Sequence, residues 1–260
     1  MTADAQPLSA VRAELVAAGL ALKEDPDTLG VYGHDESDQG DFPPQLVAFP
    51  TTTAQVQAAY RACTRHRVPL TPVGARTGKS GGSLPVSGGL ALSLERMNRI
   101  LELRPEDLIA VVQPGVITGE LARAVEAQHL FYPPDPSSLD SCTLGGNIAE
   151  NAGGPSALKY GVTRDYVLGL EWVLPTGEAL RVGHRTMKGV AGYDLVGLFV
   201  GSEGTLGVAT ELTLKLLPLP RTVMTALQAP LVLAVLVTAL QLSLAVVAAM
   251  AAASASATVG

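Results

Sequence analysis

Residues 72–89 read PVGARTGKSGGSLPVSGG, six glycines in a stretch flanked by two short apolar runs, Leu70–Val73 and Leu90–Leu94. Glycine at that density disfavours both a helix and a packed strand, and it exposes successive backbone N–H groups that can cradle phosphate oxygens. Gly78, Lys79 and Ser80 spell the last three residues of a nucleotide-triphosphate P-loop. That motif, however, wants a glycine where Val73 stands, and Gly81, Gly82 and Pro85 block the helix that must follow. The stretch therefore reads as a glycine-rich connection between strands, and the rest of the chain decides what it connects.

Working outward, Ser9 is placed to cap a helix running to about Ala18, with Gly19 as its stop. Thr52 and Gln55 form a capping box for a second helix over residues 54–66, with Val56, Ala59, Tyr60 and Cys63 on one face. Beyond the glycine-rich loop, short apolar runs at 109–113, 167–174, 179–182 and 207–217 read as strands, with Pro175, Thr176 and Gly177 turning a hairpin. Helices are expected over residues 119–128 and 195–199, so the class is α+β with mixed sheets and flanking helices.

The 260 residues carry 18 Lys and Arg against 24 Asp and Glu, a net charge of -6 with no basic block, which argues against a nucleic-acid partner. Cys63 and Cys142 have neither zinc-site spacing nor the density of a secreted disulfide scaffold, and residues 1–7 carry no leader-like cation; both point to the cytoplasm. Every charged residue lies at or before Arg221. The run Leu231–Ala253, as a helix, would reach roughly 34 Å, enough for a bilayer, but it lacks flanking cations and interfacial aromatics. Membrane contact through this tail is thus one reading beside a packed helix pair and a shifted reading frame.

Three more Gly or Pro clusters alternate with the strands: PPDPSS at 133–138, GGNIAENAGG at 145–154 and GSEGTLGV at 201–208. Together with RMNRI, PGV, KYG and GYDL, in this order between about Gln45 and Pro220, they resemble the PCMH-type FAD-binding domain of the vanillyl-alcohol oxidase and p-cresol methylhydroxylase superfamily. Within it they are most similar to the branch of the FAD-linked glycolate oxidase subunit and D-lactate dehydrogenase. The resemblance implies two α+β subdomains gripping FAD, with an N-terminal helical extension at 1–44, the FAD-binding domain at 45–220 and the uncharged tail at 221–260.

It also implies roles for particular residues. Val73, Gly74, Ala75, Arg76, Thr77, Gly78, Ser80, Gly81 and Gly82 are the expected pyrophosphate loop. Pro134, Asp135, Ser138 and Thr143 would lie along the flavin and its ribityl chain. Gly145, Gly146, Asn147, Asn151, Gly153 and Gly154 would form a second contact that admits the ring, with Tyr160 and Gly161 as neighbours. Glu203, Gly204, Gly207 and Val208 would meet the adenosine half.

Lys79 stands where many relatives carry an apolar residue and is expected to face solvent, while Trp172 is expected in the core. His34, His66, His129 and His184 all fall outside the clusters, so FAD is expected to be non-covalent and no metal is expected. Full-length relatives transfer a hydride from a 2-hydroxy acid Cα to flavin N5, helped by a C-terminal cap domain and an electron-acceptor partner or companion subunit. Residues 222–260 offer no charged group for the cap's chemistry, so the expectation is a truncated or frameshifted member that is inactive alone. The alternative is a non-catalytic FAD-binding fragment or electron-transfer module.

Overall fold

The computed structural model describes residues 5–220. The chain divides into two units, Met1–Leu219 and Pro220–Gly260, and the architecture that follows is that of the first.

Two sheets organise it. The first has the order β1-β2-β4-β3, from β1 (Ala21–Lys23), β2 (Leu46–Phe49), β3 (Leu70–Val73) and β4 (Leu90–Ser93). β2 and β3 both run parallel to β4, and β1 closes the edge antiparallel to β2. Parallel neighbours need crossovers. One is helix α3 (Thr53–His66), between β2 and β3; the other is the glycine-rich stretch between β3 and β4. All of β2 and β4 is buried, which is why these strands read as continuous apolar runs rather than alternating ones.

The second sheet is antiparallel throughout, in the order β5-β6-β10-β8-β9: β5 (Ile100–Arg104), β6 (Ile109–Val112), β8 (Val167–Val173), β9 (Ala179–Gly183) and β10 (Val208–Lys215). β8 and β9 form the expected hairpin, with Gly177 at φ +79 in its turn. A short pair, β7 (Leu130–Phe131) with β11 (Leu217–Pro218), completes the strands. Each sheet has its own apolar cluster, one around Leu46, Leu90, Leu92 and Met97, the other around Leu121, Leu144, Ile148 and Leu212. The mixed α+β, two-sheet architecture agrees with the sequence-based expectation.

Helix α1 (Ala5–Ala17) and helix α2 (Pro26–Tyr32) belong to this same body: Val11 and Leu15 are fully buried beside Val56 and Ala59 of α3. Two local expectations change. Ser9 does not cap α1, because the helix starts at Ala5 and the Ser9 hydroxyl donates to the Gln6 carbonyl. At α3 the Thr52 side chain accepts from the Gln55 amide at 3.3 Å, but the Gln55 side chain turns to the Thr51 amide, so only half of the capping box forms. The α1 stop is as expected: Gly19 has φ +76, and the Gly19 and Leu20 amides return to Val16 and Leu15 in a Schellman motif.

Helix α4 (Thr118–Glu126), helix α5 (Leu144–Glu150), helix α6 (Ala157–Tyr160) and helix α7 (Leu195–Phe199) pack around the second sheet. Among the described residues no helix is long and apolar enough to cross a membrane. The run Leu231–Ala253 lies outside the described residues.

Candidate functional site

Where β3 ends, the chain enters the glycine-rich loop, and there a cavity of about 390 Å³ opens. Its wall is drawn from segments distant in sequence: 72–78 and 82–83, 136–138, 142–153 and 203–209, with Leu94, Pro114 and Trp172 between them. Of the expected residues, Val73, Gly74, Ala75, Arg76, Thr77, Gly78, Gly82, Ser138, Thr143, Gly145, Gly146, Asn147, Asn151, Gly153, Glu203, Gly204, Gly207 and Val208 line it. Ser80, Gly81, Pro134, Asp135, Gly154, Tyr160 and Gly161 do not. Segments spread over more than a hundred residues thus meet at one cavity.

The loop's own hydrogen bonding defines its chemistry. Among the described residues, none of the backbone N–H groups from Ala75 to Gly82 donates a hydrogen bond. Ala75, Arg76, Thr77, Gly78 and Gly81 are half-buried while Lys79, Ser80 and Gly82 are exposed, so the loop has several amides uncommitted to protein acceptors that can turn toward an acceptor-rich, anionic group. Two positions keep the loop open. A Cβ on Gly74 would lie 2.9 Å from Thr143 Oγ1, and Gly81 sits at φ +81.

The GGNIAEN segment offers less than its glycines suggest. It folds as α5, capped by Thr143, whose side chain accepts from the Gly146 amide at 3.3 Å. The Leu144, Gly145 and Asn147 amides donate to the Val116, Pro114 and Thr143 carbonyls. Gly145 lets the helix start press on Pro114, which a Cβ would meet at 2.7 Å. Asn147 is buried and donates to Thr118 Oγ1 at 2.7 Å, and Asn151, left-handed at φ +52, ends the helix while accepting from the Arg164 amide. These residues shape the wall, while the open amides belong to the loop.

The residues outside the wall brace it. Asp135 accepts from the Ser156 amide at 3.0 Å and the Ser156 hydroxyl at 2.6 Å, tying the PPDPSS segment to α6, and Gly154 packs against the Asp135 backbone where no side chain would fit. The Tyr160 carbonyl accepts from Tyr166 Oη at 2.7 Å. Lys79 points outward, its side chain 75 % exposed and 3.2 Å from Glu36. Trp172 is 2 % exposed, stacks on Phe199 at 4.5 Å, and donates to the Leu206 carbonyl; it is core and back wall together.

Two contributions, Glu150 and the segment behind the loop, escape a sequence reading. Glu150 joins Glu203 as a second carboxylate of the lining, and Arg76, held 4.5 Å over the Tyr32 ring, is its one cation. The acidic segment 33–42 straps the loop from behind: Asp35, 4 % exposed, accepts from the Ser37 amide and hydroxyl and from Ser83 Oγ, and the Glu36 amide donates to the Arg76 carbonyl. Those hydrogen bonds hold the Asp35 carboxyl below its usual range despite its burial. No histidine lines the cavity, and among the described residues no group of three or more His, Cys, Asp or Glu could hold a metal ion.

Comparison with known proteins fits this geometry. Residues 44–183 match the family model described as FAD binding domain. The chain is 53 % identical over 197 residues to the glycolate oxidase subunit GlcD of Bacillus subtilis, covering 76 % of this chain and 42 % of that protein. It is 46 % identical to a D-lactate dehydrogenase of Anaerostipes hadrus (74 % and 40 %) and 41 % identical to a D-2-hydroxyglutarate dehydrogenase of Stutzerimonas stutzeri (78 % and 43 %). Among solved structures, an alkyldihydroxyacetonephosphate synthase superposes with a TM-score of 0.72 at 27 % identity, over 82 % of this chain and 44 % of that one. A chitooligosaccharide oxidase gives 0.65 at 26 %, over 80 % and 43 %. The chain spans about two fifths of the length of the curated relatives it matches.

Proposed function

We propose that this chain, which belongs to the FAD binding domain family, holds FAD non-covalently at the glycine-rich loop and supplies the flavin-binding part of a 2-hydroxy-acid oxidoreductase. The observation that carries the reading is the run of amides from Ala75 to Gly82 that donate to no protein acceptor, in the loop whose residues 75–78 and 82 line the cavity. In this reading the amides of 75–82 and the Thr77 hydroxyl receive the pyrophosphate, with Arg76 supplying the local positive charge. Glu203 accepts hydrogen bonds from the adenosine hydroxyls, and Ser138, Thr143, Asn147 and Asn151 border the flavin half. Pro134, Asp135, Gly154, Tyr160 and Gly161 act from behind the wall by fixing its segments.

Bound FAD supplies a two-electron acceptor for a substrate C–H bond. The chain's residues orient the cofactor and exclude water from its inner face, where Trp172, Pro114 and Leu94 make the wall apolar. Glycolate, D-lactate and D-2-hydroxyglutarate are the acids named by the relatives, and the 2-hydroxy-acid group they share is the proposed substrate class. A companion subunit or electron carrier is the proposed partner, in keeping with a relative that is itself named as a subunit. The proposed compartment is the cytoplasm, in keeping with two buried free thiols, Cys63 and Cys142.

The test is to load the purified chain with FAD, precipitate it with acid, and in parallel mix the loaded protein anaerobically with each of the three acids. Flavin in the acid supernatant supports non-covalent binding; a chain that is only the flavin-binding part is not bleached rapidly by any of the three acids, and rapid bleaching would show that turnover needs no further domain. Flavin that is bound but bleached only by a reduced protein donor favours the electron-transfer module instead.

A further inference from the structure

The carboxylate of Glu150 lies inside the arc of the glycine-rich loop. Its two oxygens accept from the Ser80 hydroxyl at 3.1 and 3.3 Å. Oε1 is the atom that a Cβ on Gly78 would meet at 2.8 Å and one on Gly82 at 3.8 Å, while Glu203 Oε2 approaches the same Gly82 position at 3.2 Å. A negatively charged group therefore rests against the stretch whose amides are free, in a place suited to an anion.

The surroundings leave that charge uncompensated. Helix α5 carries no other titratable side chain. Facing elements bring Asp35 and Glu36 from segment 33–42, Glu203 from the loop before β10, and Arg76 and Lys79 from the glycine-rich loop. Arg76 is stacked on Tyr32 and Lys79 reaches Glu36, while Arg164, next to the α5 cap, donates to the Val200 carbonyl. Among the described residues no cation lies within ion-pair distance of Glu150. Desolvation in the cavity pushes its carboxyl above the usual range; the Ser80 hydroxyl opposes this, and the charges of Glu203 and Asp35 add to the rise.

We propose that Glu150 is a resident anion of the cofactor cradle: it holds the ligand-free loop through Ser80, and a pyrophosphate enters only when Glu150 swings out or takes up a proton. This deepens the FAD reading and rests on it. Low pH neutralises the resident acid and favours the incoming anion, whereas rising pH restores its charge and sets two anions against each other. FAD affinity therefore falls as pH rises through the Glu150 titration, and binding draws in protons. No histidine lines the cavity, but His34 of segment 33–42 interacts with Asp35, so the comparison with Glu150→Gln separates the Glu150 share of any change in this range from that of His34.

The experiment titrates the wild-type chain and Glu150→Gln with FAD between about pH 5 and about pH 8, a range where unperturbed carboxylates are already ionised. Inorganic pyrophosphate alone is run in parallel, read as protection against thermal unfolding. Wild-type affinity is expected to fall with pH, and Glu150→Gln to bind about tenfold tighter at the upper end with a flatter profile, the effect of removing one nearby like charge. Equal or weaker binding by Glu150→Gln, or a wild-type profile that is flat, overturns the proposal; the wild-type profile decides this even if the variant folds poorly. If neither protein binds FAD at any pH, the FAD reading falls. The pyrophosphate arm then decides alone, and equal protection of the two proteins overturns the resident-anion proposal.

Discussion

Gly81→Val is the substitution that separates a phosphate-binding loop from a mere turn. Gly81 has φ +81, and a Cβ there would meet Gln39 Cγ at 3.0 Å. Holding an L-residue in the left-handed region costs about 1–2 kcal/mol, with the β-branched valine toward the upper end. The loop can escape that strain by rotating to negative φ, but rotation re-aims the Gly81 and Gly82 amides. Each charge-assisted bond to a phosphate oxygen lost in this way costs about 1.5–3 kcal/mol. Strain retained or one such bond lost amounts to about 1–3 kcal/mol, or roughly 5- to 150-fold in the Kd for FAD. The loop is only half-buried at Gly81 and contributes no core side chain there, so the melting temperature without FAD should move by no more than a few degrees. Flavin-fluorescence titration beside a thermal melt reads both quantities. A valine variant that keeps wild-type FAD affinity with an unchanged melt would show that the loop does not take the phosphates, and the proposed site would be wrong.

Lys79→Leu should change the Kd less than about fivefold, since its exposed pair with Glu36 is worth at most about 1 kcal/mol; a loss comparable to Gly81→Val in the same titration would place the ammonium on the cofactor. Gly207→Ala should destabilise the fold by about 3 kcal/mol or more, because φ is +122 and a Cβ would overlap the Val173 carbonyl; a melt within 2 °C or so of wild type would contradict that packing. Burial pushes the Cys63 thiol up to about 12, so at about pH 8 it should resist iodoacetamide in the native protein and react once denatured, as peptide mapping would report. Rapid native labelling at Cys63 would remove it from the α3 core face.

Local pattern made much of this molecule legible. The runs that became β3, β4, β6, β8, β9 and β10 are short and apolar between Gly and Pro, and the buried face of α3 repeats at helical spacing, so neighbouring residues suffice to read them. The glycine-rich loop was legible for the same reason: glycine at that density opposes helix and strand, and Gly81, Gly88 and Gly89 take left-handed backbone there, although Arg76 does so too at φ +60. Helix α5 was not, because its two leading glycines oppose a helix on propensity, and what stabilises it is tertiary: the Thr143 cap, Leu144 and Ile148 in the core, and Pro114 against Gly145. The short β1 and β2 escaped for a related reason, their edges being drawn by partners rather than by their own periodicity, whereas α2 carries a local start signal in Asp25, which caps the Thr28 amide, and Pro26.

The site divides along the same line. The order of motifs in the sequence pointed to FAD and to most of the lining, but it assigned Gly145, Asn151 and Asp135 to ligand contact when the fold also occupies them with helix starts, caps and braces. Only tertiary structure brings Glu150 into the arc of the loop, the Asp35 strap behind it and Trp172 to its back wall. Those encounters join residues up to more than a hundred positions apart, and they are decided by which backbone amides and carbonyls remain after every helix, strand and cap has taken its share.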